Sequence, residues 1–125
     1  MKDSITHLHA VCEDWKKELR FFKDEIRILR HRLSDIVLRN HDRDMMVQVE
    51  HFENKFNILE RHVKELMREV KGKDKELVSQ AAAQPQAKSE RKMDTDQTFE
   101  DMMLVTSKDF YDTKNEYLKF VSKVF

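Results

Sequence analysis

The chain has 125 residues, 38 % of them charged and 39 % hydrophobic, with a single Gly, a single Pro and a single Cys. That length suffices for one domain with a core of its own, and so few turn residues exclude an all-β fold. Lys+Arg and Asp+Glu are both 24 and evenly spread (+9/−7, +8/−9 and +7/−8 over residues 1–40, 41–80 and 81–125), which excludes the concentrated basic surface of a nucleic-acid or anionic-membrane binder.

From Ile5 the apolar residues fall at Ile5, Leu8, Cys12, Trp15, Leu19, Phe22, Ile26, Leu29, Leu33 and Ile36, in alternating steps of three and four. This is a heptad seam, with a positions at 5, 12, 19, 26 and 33 and d positions at 8, 15, 22, 29 and 36. It predicts a first helix over about residues 4–39. A second seam runs Met45, Val49, Phe52, Phe56, Leu59, Val63, Leu66 and Val70, out of phase with the first. Continuing the first seam would bury Asn40 and Arg43, so the helix has to break between residues 37 and 45. Asn40 tolerates a helix C-cap and Asp42 can cap the next N-terminus, and so short a connection implies an antiparallel hairpin.

Flanking charges give the same turn. Lys23 with Glu60, Arg30 with Glu53 and Glu25 with Lys55 are complementary pairs whose midpoints fall on residues 40–42, as antiparallel e–e and g–g neighbours require. Helix 2 is expected over about 42–79. Its far end has two readings, because Gly72 and the seam-position Lys73 both disfavour helix: it continues frayed to about Ala83, or it caps at Gly72 and restarts at Asp74. Pro85 ends it in either case.

Residues 80–93 are small, polar and aperiodic, the composition of a linker. Their length permits an ordinary antiparallel return and also a swap of the last helix onto another protomer. Helix 3 is expected over about 94–124, opened by Asp94 and Gln97 at capping-box spacing. Its seam is Phe99, Met103, Thr106, Phe110, Thr113, Tyr117, Phe120 and Val124. The expected fold is therefore all-α: three long helices in an antiparallel coiled-coil-like bundle, a single domain, swapped or paired if the linker allows.

Helix 3 carries a second apolar stripe. Leu104, Tyr111, Leu118 and Phe125 occupy successive b positions with Val121 beside them, about 130° from the centre of the seam. Either this row is an exposed surface that recruits another helix, or helix 3 sits deep in the groove of the hairpin and buries a wide arc. Phe21 and Ile28 form a smaller outward pair on helix 1 that can meet the stripe in a dimer.

Other residue types point elsewhere and weakly. None of the six histidines has Glu three residues before it, as a bundle di-metal site needs, so no metal or cofactor is expected and the histidines read as surface or flanking groups. Cys12 reads as a small core residue. Trp15 reads as core, its indole N–H served by Glu18 or Glu69. Lys16, Arg20, Lys23, Arg27 and Arg30 form a basic stripe that reads as a solvated, partly paired face, without the interleaved aromatics of a single-strand binder. One glycine leaves no phosphate loop, and no catalytic constellation stands out.

The expected function is thus non-enzymatic: a small interaction or scaffold protein, paired with itself or with a helical partner, binding neither nucleic acid nor membrane. The alternative is a bundle whose Phe- and Met-rich interior carries an apolar ligand. The N-terminal residues lack a signal-peptide run, no stretch nears the roughly 18 apolar residues of a membrane span, and a lone Cys12 asks for no oxidising compartment. A cytoplasmic location is expected.

Overall fold

The computed structural model describes the backbone of residues 4–39, 42–83 and 90–124, and the side chains of 5–39, 42–83 and 98–124. Helices α1 (Ser4–Arg39), α2 (Arg43–Ala83) and α3 (Glu90–Val124) account for almost all of them. At 1.5 Å per residue these are rods of roughly 50–60 Å.

The heptad seams become the core. Leu8, Cys12, Leu19, Phe22, Ile26, Leu29, Leu33 and Ile36 of α1 are buried, as are Val49, Phe52, Phe56, Leu59, Val63, Leu66, Val70 and Leu77 of α2. Phe99, Met103, Thr106, Phe110, Thr113 and Tyr117 complete it from α3. Trp15 is only half-buried, its ring 6.0 Å from that of Phe99. It makes no hydrogen bond to Glu18 or Glu69, and partial exposure leaves its N–H no need of either.

Cross-helix contacts set the directions. His9 and Lys16 reach Asp74 while Arg30 reaches Glu60, so α1 and α2 are antiparallel. Phe52 meets Tyr117 and Phe120 near the end of α3, whereas Phe99 and Met102 lie beside Gly72 and Lys73. Hence α3 is antiparallel to α2 and parallel to α1. The α1 and α2 backbones approach along much of their length, those of α1 and α3 at few levels. Large rings separate the latter pair: Phe22 stacks on Phe110 with centroids 4.5 Å apart.

Several boundaries differ from those the residue pattern suggests. Asp42 stands at the N-cap of α2, its carbonyl accepting the Met46 N–H at 2.9 Å; Asn40 and His41 lie outside the described residues. α2 runs unbroken through Gly72 to Ala83, with no glycine at positive φ, so the restart at Asp74 does not occur. Continued burial explains this, because Lys73, Asp74 and Leu77 are all covered and tertiary packing outweighs a local glycine penalty. α3 begins at Glu90, so Asp94 is inside the helix and the linker is shorter than 80–93.

The predicted hairpin charge pairs are not the ones formed. Arg30 pairs with Glu60 at 2.9 Å rather than with Glu53 and also donates to Asn57, which leaves Lys23 without Glu60. Glu25 pairs with Lys114 and Lys55 with Glu116, both across to α3. For the e–e pairs the physical reason is the tilt of helical side chains toward the N-terminus. In an antiparallel hairpin Arg30 leans away from the turn and α2 side chains lean toward it. A basic residue on α1 therefore converges on a carboxylate one heptad beyond the level position.

Candidate interaction surface

The α1/α3 seam presents one apolar face to solvent. Phe21 packs edge-on to Phe110, centroids 6.1 Å apart, and Tyr111 packs edge-on to Phe22 at 5.9 Å. Phe21 and Tyr111 therefore occupy the same level on neighbouring parallel helices. Ile28 and Leu118 each lie one heptad further along, and Leu104 one heptad before Tyr111. These five residues are between 43 % and 63 % exposed. Between the rungs, Lys114 Nζ donates to Glu25 Oε1 at 3.0 Å, with both side chains mostly covered. That ion pair holds the register in which the two stripes form a single ladder.

One other expected member does not join the ladder. Val121 is half-buried and packs against the core, because its e position faces the interhelical side. Phe125 lies outside the described residues. The choice left open by the residue pattern, an exposed stripe or a wide buried arc, resolves toward exposure for Leu104, Tyr111 and Leu118.

A polar cluster fastens α1 to α2 at the opposite end from the hairpin turn. Lys16 Nζ lies 2.8 Å from Asp74 Oδ2 and 2.6 Å from Glu13 Oε2, and His9 Nδ1 lies 2.5 Å from Asp74 Oδ1. Burial pushes the Asp74 carboxyl up, but hydrogen bonds from Lys16 and His9 outweigh it and leave the group below its ordinary 3.8. The same contacts, with Asp74 first and Glu13 second, hold the Lys16 ammonium above its ordinary 10.5. His9, Glu13 and Asp74 place three donor atoms within 4.8 Å of one another, the one such group among the described residues. The Lys16 ammonium already sits between the two carboxylates and supplies their counter-charge.

The residue pattern missed this cluster because its members are far apart in the chain and off the seams. The signal was present: His9, Glu13 and Lys16 share one edge of α1, and Lys73 interrupts the seam of α2 beside Asp74, both of them buried. A second clamp ties α2 to α3. Glu116 accepts from Lys55 and contacts His51, each at 2.8 Å, and these two contacts, Lys55 first, lower its pKa. Among the described residues the other histidines, His7, His31 and His62, are exposed.

α2 and α3 also enclose an open cleft. Its two contiguous cavities, about 320 and 470 Å³, share Glu69 and Met102. Leu66, Met102 and Val105 form an apolar floor, and Glu65, Glu69 and Asp101 stand on the rim. Among the described residues no helix is long and apolar enough to cross a membrane. Comparison of the chain with models of known families, with curated proteins and with solved structures gives no match.

Proposed function

We propose that this protein is a helical interaction module that pairs with a second copy of itself through the α1/α3 ladder, acting by binding rather than by catalysis and working in the cytoplasm. The observation that carries this reading is the heptad spacing of Leu104, Tyr111 and Leu118 on α3 beside Phe21 and Ile28 on α1, all substantially exposed. A seven-residue repeat is the spacing that an amphipathic helix meets with its own a/d positions. Completing the burial of a large apolar side chain yields on the order of 1–2 kcal/mol, so a few rungs support a reversible, micromolar association.

Sedimentation velocity or light scattering at high micromolar concentration tests the reading. The expected result is a dimer, with Leu118→Asp shifting the equilibrium to monomer by at least about tenfold. A protein that remains monomeric at high concentration, or a dimer indifferent to Leu118→Asp, sinks it. Nothing in the packing favours the alternative of an apolar-ligand carrier: Phe22, Phe52, Phe56 and Phe110 are fully covered and lie ring against ring.

A further inference from the structure

We propose that the α2/α3 cleft receives the basic outer face of α1 from another copy of the chain, a contact separate from the ladder. The cleft combines an apolar floor of Leu66, Met102 and Val105 with an acidic rim, and no Lys or Arg lines the part between His62 and Thr106. Glu65 and Glu69 are exposed and form no ion pair with any described residue. They stand four residues apart on α2, one helical turn.

The complementary surface lies on α1. Lys16 and Arg30, at the ends of its basic stripe, are turned inward to Asp74 and Glu60. The middle of the stripe is not. Arg27 pairs along α1 with Asp24 at 3.6 Å, whereas Arg20 and Lys23, with Lys17 beside them, are exposed, make no ion pair with any described residue, and span six residues, about 9 Å. The Glu65–Glu69 rim, about 6 Å long, falls within that span. Lys and Arg stems are apolar up to their charged ends, so they can cover the Leu66/Met102 floor while their heads meet the rim. The chain's near-zero net charge thus conceals two opposite faces.

The basic edge of α1 and the groove between α2 and α3 are different surfaces, so a contact between them joins unlike faces and builds a ring or an open chain rather than a two-fold dimer. This distinguishes it from the ladder, whose like-with-like pairing stops at two.

The test uses the full-length Leu118→Asp protein, in which the ladder is disabled, followed by sedimentation velocity at low salt and at about 1 M salt, where the screening length is ~3 Å. Association that grows with concentration at low salt and vanishes at high salt is expected. Adding Glu65→Lys and Glu69→Lys, or instead Arg20→Glu and Lys23→Glu, should weaken it by at least about tenfold. A mixture of the two charge-reversed proteins should associate again. All four positions are exposed, and an unchanged thermal melt verifies that each variant folds. Failure of the Leu118→Asp protein to associate at low salt overturns the proposal, as does association insensitive to either reversal or a mixture that stays monomeric. None of these outcomes bears on the ladder, which is read at about 1 M salt by comparing the unmodified protein with Leu118→Asp.

Discussion

At the scale of single residues, two buried polar groups meet opposite fates. Asp74 is covered but hydrogen-bonded by Lys16 and His9. Tyr117 is covered and its hydroxyl finds no partner among the described residues, and burial raises its pKa. An unmet buried hydroxyl costs roughly 1–3 kcal/mol, so Tyr117→Phe, which keeps the ring against Phe52 and Phe56, should leave the melting temperature unchanged or raise it; a clear drop in thermal denaturation would contradict the unsatisfied state. Asp74→Asn should act in the other direction, lowering stability at neutral pH by about 1–2 kcal/mol because Lys16 loses its covered partner. The pH dependence follows from the sign of the shifts. Asp74 has a depressed folded pKa, so its contribution is complete above about pH 4 and is lost as pH falls through the lower folded value; Lys16 has a raised one, so its contribution is lost only as pH climbs beyond about 10.5. Urea denaturation at a series of acidic pH values should show the wild-type acid limb flattened in Asp74→Asn.

At the scale of elements, α2 bears a penalty it does not need. Gly72 lies inside a continuous helix, and a Cβ built on it would meet nothing within 4 Å. Gly72→Ala should therefore stabilise the protein by about 0.5–1 kcal/mol, read as a shift of the urea midpoint with no change in slope. A decrease would mean that the helix bends there in solution. The hairpin turn was legible from the phase break between the first two seams, since periodicity is a local property of the chain. The salt-bridge partners were not. Level pairing suggested Arg30–Glu53, whereas side-chain tilt selects Arg30–Glu60 and sends Glu25 and Lys55 to a third helix that no two-helix argument contains.

At the scale of the whole molecule, the three interfaces are unequal. α1 and α2 approach closely along their length, while α3 is held to α1 through stacked rings and at few backbone levels. Its seam also carries two threonines, Thr106 and Thr113, which contribute less burial than the aliphatics of the hairpin. Native-state hydrogen exchange should accordingly show α3 opening at a lower free energy than the centres of α1 and α2; uniform protection across all three helices would refute the ranking. The ladder and the acidic cleft both border α3, the helix with the weaker hold.

The residues by themselves determined that the chain is all-α, that it forms three long helices, and which face of each is buried, because a heptad repeat needs only neighbours in sequence to declare itself. They also marked Leu104, Tyr111, Leu118, Phe21 and Ile28 as off-seam apolar positions. Only the tertiary structure decided that α1 and α3 stand side by side and parallel, which sets Phe21 level with Tyr111 and turns two short stripes into one ladder. It likewise brought His9 to Asp74 across 65 residues of sequence and set the unpaired Glu65 and Glu69 beside the apolar floor of a cleft. Lateral order, level and side-chain tilt are relations between helices, and a periodic pattern within one helix does not contain them.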